Sequence, residues 1–139
     1  MNKVVGKLSR FGFEMTPAPA VQAYFYIERL DYGEWVDFLI DTGASGTCLH
    51  GPHAFDLQEH MRPETLDYST GIGGIRVGYY SETAVILLRD DMGQPLFQTV
   101  QLAIHQFTEE CVNNQDILED CLECPSILGR DILNNCLFT

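Results

Sequence analysis

The stretch Phe38-Leu39-Ile40-Asp41-Thr42-Gly43-Ala44-Ser45 carries an apolar run directly into an acid and then into a tight turn. An ionised carboxylate in an apolar setting is destabilising unless it is paired or hydrogen-bonded, so an acid at the end of a buried strand indicates chemistry. Gly43 allows the main chain to approach whatever Asp41 holds, and the hydroxyl of Thr42 can fix the turn. Asp41 is therefore the first candidate catalytic residue.

This stretch and two later segments together resemble one protein family. Asp41-Thr42-Gly43-Ala44-Ser45 resembles the catalytic signature of aspartic proteases. Ser126-Ile127-Leu128-Gly129-Arg130-Asp131-Ile132-Leu133 resembles the second signature of the retroviral-type branch, the retropepsins. Gly71-Ile72-Gly73-Gly74 lies between them, where that family carries its flap. Three elements in this order are more specific than an isolated Asp-Thr-Gly, which recurs by chance at strand-to-turn junctions.

The resemblance covers residues 19–139 and implies the retropepsin, or acid protease, fold over that range. This fold is all-β, closed and barrel-like, with one or two short helices. Residues 1–18 form a separate N-terminal segment in this interpretation. In the family such a segment supplies a strand to the partner subunit, and the alternative is a solvated tail.

The alternation of apolar and polar residues predicts strands on both sides of Asp41. A first hairpin delivers the acid to its loop, a second hairpin carries the glycines of the expected flap, and a meander follows. The acidic segment 106–125 predicts a solvated loop or a short helix. Strands are expected over residues 21–30, 34–41, 66–70, 75–80, 82–89 and 95–105, with short helices over 51–60 and 130–135.

The resemblance implies peptide-bond hydrolysis by two carboxylates and a water molecule. The sequence contains one Asp-Thr-Gly, so the second acid would come from Asp41 of an identical chain in a homodimer. Two adjacent carboxylates share one proton, as in aspartic proteases generally, so that one Asp41 activates water while the other protonates the substrate. The expected partners are a second copy of the chain and a peptide or protein substrate.

The family also implies roles for the neighbours of Asp41. Thr42 would brace the two loops across the dimer axis, and Gly43 would contact the substrate backbone. Substrate would bind as an added strand under a mobile glycine-tipped flap. The remaining expected substrate-binding residues are Ala44, Ser45, Ile72, Gly73 and Gly74, and the residues expected to support the site are Ile127, Leu128, Gly129 and Arg130.

Ser45 departs from the family pattern. Retroviral members often carry Asp at this position, where it pairs with the arginine that corresponds to Arg130. Arg130 would therefore need another partner if it were buried, because an unpaired buried charge is destabilising. Asp131 is adjacent in sequence, which makes it a poor candidate for that partner.

Composition excludes several function classes. Twenty acidic and eight basic residues give a net charge of -12, which argues against nucleic acid and anionic membranes as partners. No apolar run is long enough to span a bilayer, so a cytoplasmic protein is expected. Five cysteines cannot all pair within one chain, and no cofactor or metal is expected.

Two alternatives to a protease stay open at this point. The first is a catalytically silent retropepsin-like module that dimerises or binds peptides, since fold does not guarantee function. The second is a metal-dependent hydrolase, but a His-Glu-x-x-His motif or a comparable constellation is missing. Its ligands would come from the histidines and from Cys48, Cys111, Cys121 and Cys124.

Overall fold

The computed structural model describes residues 3–9, 17–70, 76–135 and 137–138. These residues form ten strands and four α-helices, so the chain is mostly β, as expected. The strands are β1 (Lys3–Val4), β2 (Lys7–Ser9), β3 (Ala18–Ile27), β4 (Tyr32–Ile40), β5 (Cys48–Leu49), β6 (Asp67–Thr70), β7 (Arg76–Arg89), β8 (Pro95–His105), β9 (Ile127–Leu128) and β10 (Leu137–Phe138). The helices are α1 (Gly51–Phe55), α2 (Glu109–Asn113), α3 (Gln115–Glu123) and α4 (Arg130–Leu133), with 3-10 turns at Glu28–Leu30, Gln58–His60 and Pro63–Thr65.

The expectation of one or two short helices is wrong, because the acidic segment forms both α2 and α3. Each has a side-chain cap: Thr108 accepts a hydrogen bond from the Cys111 amide, and Asn114 accepts from two amides of α3. These caps satisfy amides that have no partner within the helix. One face of the pair packs on the core through Cys111, Leu118, Cys121 and Leu122.

Eight strands form one sheet in the order β2-β3-β4-β9-β5-β8-β7-β6. A further antiparallel pairing between β3 and β7 joins two distant strands of that order, so β3, β4, β9, β5, β8 and β7 close into a ring. Large buried side chains fill its interior, including Phe25, Phe38, Ile86, Leu102 and Leu128. The long strand β7 replaces the two separate strands expected over 75–80 and 82–89.

The hairpin of β3 and β4 turns earlier than expected. Its loop is the 3-10 turn Glu28–Leu30 followed by Asp31 in the left-handed region, with φ of 47°. Gly33 falls between the strands expected over 21–30 and 34–41, but it lies in β4 opposite Tyr26. A Cβ at Gly33 would lie 2.5 Å from the Phe25 carbonyl oxygen, so this glycine allows close strand approach.

The N-terminal segment pairs within its own chain. β1 runs parallel to β10, and β2 pairs antiparallel with the start of β3. Val4 is buried in the core at 1% exposure, which attaches this end of the chain to the domain. A role of this segment in a dimer interface stays a prediction.

A buried ion cluster fixes β7 to the turn after β3. Glu82 is 2% exposed and accepts hydrogen bonds from the guanidinium of Arg29, while Arg62 lies 3.6 Å away. Arg29 also donates to the carbonyl of His60 at 2.7 Å. The buried carboxylate is therefore paired, as its desolvation requires.

None of the helices in the described part of the chain is both long and apolar enough to cross a membrane.

Candidate functional site

Asp41 lies at the point where β4 leaves the ring of strands. Its amide donates to the carbonyl of Leu128 at 3.2 Å, and its carbonyl accepts from Ala44 at 3.2 Å. The Gly43 amide donates to Asp41 Oδ1 at 2.8 Å, which orients the carboxylate. Asp41 is half-buried, whereas the sequence predicts a buried acid. A single chain therefore does not bury it fully.

The second signature packs directly on the Asp41 loop. The Arg130 amide donates to the Ala44 carbonyl at 2.9 Å, and the Asp131 amide donates to the Ser45 carbonyl at 3.2 Å. Gly129 has no room for a side chain, because a Cβ there would lie 2.4 Å from the Gly46 carbonyl oxygen. The glycine therefore allows two backbone segments to touch where the loop is held.

The carboxylate of Asp131 fixes the end of this loop. It accepts hydrogen bonds from the Thr47 hydroxyl at 2.7 Å, the Thr47 amide at 3.0 Å and the Ile132 amide at 2.9 Å. The Thr47 hydroxyl, which is fully buried, also accepts from the Gly129 amide at 3.2 Å. Neither Thr47 nor Asp131 is among the predicted site residues, because their contact joins positions 84 residues apart in sequence.

Arg130 itself is exposed, so it needs no buried partner. The condition under which Arg130 would need such a partner, burial, is therefore absent at the start of α4. Ile127 and Leu128 form β9, which pairs with β4 directly before Asp41. These two residues and Gly129 support the loop from the core side.

A groove of about 790 Å³ opens beside Asp41. Of the residues predicted at the site, Asp41, Gly43, Ala44 and Ser45 line it. Thr42 is exposed at the tip of the loop, and Ile72, Gly73 and Gly74 lie outside the described residues. The sequence did not reveal the rest of the lining, which comes from β5, β6, β7, β8 and the loop before β5: Gly46, Cys48, Asp67, Tyr68, Ser69, Tyr79, Tyr80, Ser81 and Ala103.

Two titratable side chains in or near the groove are held in neutral form. Burial raises the pKa of the Cys48 thiol to about 11, with Asp131 adding to the effect. Burial also raises the pKa of Tyr79 to about 12. Both groups therefore present uncharged surface to a ligand at neutral pH.

His50 positions Tyr79 from behind the groove. Its Nδ1 lies 2.8 Å from the carbonyl oxygen of Pro125, and its Nε2 lies 2.8 Å from the hydroxyl of Tyr79. A carbonyl can only accept, so Nδ1 carries the proton and Nε2 accepts from Tyr79. Burial and, to a smaller extent, nearby His105 lower the pKa of His50 to about 4 against the opposing effect of the Pro125 hydrogen bond.

The lowered pKa of His50 predicts that the free energy of unfolding decreases in weak acid. The pKa of His50 is about 4 in the folded chain and 6.5 in the unfolded chain. As the pH falls, the unfolded state is therefore protonated before the folded state. Its contribution is fully present above pH 6.5 and falls by up to about 3 kcal/mol as the pH drops to 4. Urea unfolding of the wild-type protein and of His50→Gln across this range measures the difference.

His50→Gln is expected to lose less stability between neutral and acid pH, because glutamine does not titrate there. His105, whose pKa is also lowered by burial, is present in both proteins, so the difference between them reports His50 together with its interaction with His105. The same loss of unfolding free energy in both proteins would contradict the assignment of this pH dependence to His50.

Metal ligation is not supported by the geometry of the described residues. No group of three or more His, Cys, Asp or Glu side chains among them is arranged to hold an ion. His50 and His53 use their Nδ1 atoms in other contacts, with Pro125 and Glu34. The metal-dependent alternative therefore has no candidate centre in this part of the chain.

The site thus combines an oriented carboxylate, a loop held by a second segment and a groove for a ligand. No protein-family model matches the chain, and no curated protein matches it. A functional assignment therefore depends on the chemistry of these residues.

Proposed function

We propose that this protein is a homodimeric aspartic endopeptidase with the retropepsin fold, which hydrolyses peptide bonds through two copies of Asp41. One observation carries the proposal: the Asp41 loop is held by main-chain hydrogen bonds from the second signature, at Ala44 and Ser45. Motifs that lie more than 80 residues apart in sequence thus meet at the loop that carries Asp41. Chance matches to two signatures have no reason to meet in this way.

The ring of strands supports the finer fold assignment. β4 and β9 run parallel and end beside the loop and α4, so both signatures project from the same edge of the sheet. Such an arrangement places an acid at the rim of the domain, where a symmetry-related acid can approach. The half-buried position of Asp41 in one chain fits an acid whose second side is covered by a partner.

The chemistry follows from two adjacent acids. When two carboxylates come into contact, the repulsion between their charges keeps one of them protonated. The ionised Asp41 takes a proton from water as the water attacks the peptide carbonyl, while the protonated Asp41 donates to the carbonyl oxygen. A tetrahedral diol forms and collapses with protonation of the leaving nitrogen, so no covalent enzyme intermediate is needed.

The groove supports a peptide as the ligand. Its walls are the strand residues of β6 and β7 on one side and the Asp41 loop on the other, which suits an extended chain. The ring of Tyr79 is held by His50, and the neutral Cys48 thiol and Ala103 add apolar surface. Apolar substrate side chains are therefore favoured next to the scissile bond.

The test is a comparison of activity with association. Cleavage of denatured casein or a peptide pool is measured over a range of protein concentrations, and sedimentation gives the dimer fraction in the same buffers. We expect cleavage per chain to rise in parallel with the dimer fraction. Because each chain has a net charge of -12, added salt should increase both together.

Cleavage per chain that does not change while the protein passes from monomer to dimer would overturn the shared site. A stable dimer that cleaves no peptide at mildly acidic or neutral pH would favour the catalytically silent module instead.

A further inference from the structure

Two cysteine side chains lie against each other on separate helices. The Sγ atoms of Cys111 in α2 and Cys121 in α3 are 3.4 Å apart. Cys111 is 7% exposed, and Cys121 is half-buried. The proposed peptidase reaction uses neither thiol.

A cavity of about 360 Å³ gives access to this pair. Both cysteines line it, together with His105, Gln106, Thr108 and Glu110. His105 Nδ1 is buried and has no hydrogen-bond partner among the described residues. The thiols therefore line a space that admits a small molecule and that shares Tyr68, but no other lining residue, with the groove at Asp41.

We propose that Cys111 and Cys121 form a redox-active dithiol site, which a low-molecular-weight disulfide such as oxidised glutathione converts into an intramolecular disulfide. To form the bond, the two sulfurs must approach from 3.4 Å to about 2.05 Å. Rotation of the two side chains can supply much of this movement. A single residue, Asn114, separates the end of α2 from the start of α3. Their backbones are therefore already adjacent.

The reaction is two successive thiol–disulfide exchanges. The thiolate of the more accessible Cys121 attacks one sulfur of the small disulfide and expels a first thiolate. The Cys111 thiolate then attacks Cys121 Sγ in the mixed disulfide and expels the second. The protein loses two electrons and the small disulfide gains them, while the two protons of the cysteines pass to the released thiolates.

The setting makes this exchange slow. Burial raises the pKa of Cys121 to about 12, and the hydrogen bond with Cys111 and the charges of Cys124 and Asp120 act in the same direction. Only a small fraction of the attacking group is thiolate at neutral pH. Oxidation is therefore expected over minutes to hours rather than seconds.

The new bond would fix α2 to α3 close to the second signature. α3 ends at Glu123, and the chain then runs through Pro125, which accepts from His50, to β9. Oxidation at the helix pair thus restrains the segment that supports the Asp41 loop. A closed loop of this size is expected to raise the unfolding midpoint by roughly 5–10 °C.

The test uses the full chain, incubated with oxidised or reduced glutathione and then analysed without reductant. We expect the oxidised protein to lose the mass of two hydrogen atoms, and peptide mapping to join Cys111 to Cys121. The unfolding midpoint should rise with it. Neither change should occur in Cys121→Ser, whereas Cys124→Ser, which alters a neighbouring thiol, should behave like wild type.

Unchanged mass, glutathione adducts alone, or a bond that joins any other cysteine pair would overturn the proposal. Peptide mapping of the wild-type protein gives this answer even if a serine variant folds poorly. The readout is independent of peptide cleavage, so an inactive protein would leave the result intact.

Discussion

Asp41→Asn is expected to reduce peptide cleavage by about 10²–10⁴-fold or more, because an amide can neither take up nor release the proton that the reaction moves. In a homodimer one substitution removes both acids. The asparagine has nearly the same shape, and its side-chain oxygen can still accept from the Gly43 amide, which now donates to Asp41 at 2.8 Å. The unfolding midpoint and the dimer fraction should therefore change little while cleavage is lost.

A mixing experiment makes this prediction specific to a shared site. Wild type and Asp41→Asn are mixed in equal amounts at a concentration where both are fully dimeric. Random exchange of subunits then leaves about a quarter of the dimers with two intact acids. Cleavage per wild-type chain should then fall to about half. Cleavage per wild-type chain that is unaffected by the variant would contradict a site built from two chains.

Asp37→Asn is the matched control for the substitution. Asp37 lies on β4, four residues before Asp41, but it is exposed and pairs with the exposed Lys7 at 3.1 Å. Exposed ion pairs contribute little to stability, so this variant should keep both its fold and its activity. Cleavage that survives in Asp41→Asn at the level of Asp37→Asn would remove the proposed function.

Thr47→Val is expected to lower the free energy of unfolding by about 2–4 kcal/mol and cleavage by about 10²-fold. The substitution keeps the size of the fully buried side chain but removes its hydroxyl. The Asp131 carboxylate then loses its shortest hydrogen bond, at 2.7 Å, and the Gly129 amide loses its acceptor. Unpaired buried polar groups are costly, and the loop that carries Asp41 would shift.

Thr47→Ser separates the hydroxyl from the methyl group. Serine keeps the hydrogen bonds to Asp131 and Gly129, so only the burial of one methyl, about 1 kcal/mol, is lost. Urea unfolding and cleavage rates of the two variants give the comparison. Equal losses in Thr47→Ser and Thr47→Val would show that packing, not the hydrogen-bonded brace, holds the loop.

Local patterning predicted most of the strands. The alternation over 95–105 gave β8 with its observed bounds, and the apolar run before Asp41 gave β4, because side-chain period and burial act within a few residues. Gly33 was misplaced for the same reason. A glycine that serves a turn and one that permits close strand approach look alike until the opposing Phe25 is known.

The acidic segment shows a second limit of local reasoning. Its charges predicted a solvated loop or a short helix, and the two helices formed there hold their apolar side chains against the core. Thr108 and Asn114 were the available signal, since both are favourable capping residues. The contact between Cys111 and Cys121 depends on how α2 and α3 pack, which spacing alone does not give.

The sequence by itself determined that an acid follows a buried strand, that a second matching segment comes later, and that the chain is acidic and rich in strands. Only the tertiary structure decided which groups hold the loop of that acid, Asp131 with Thr47, and which group positions Tyr79 in the groove, His50. The physical reason is that propensity and periodicity are properties of neighbouring residues. Hydrogen bonds between positions 47 and 131, or 50 and 79, exist only after β5, β7 and α4 have been brought together by burial of a common core.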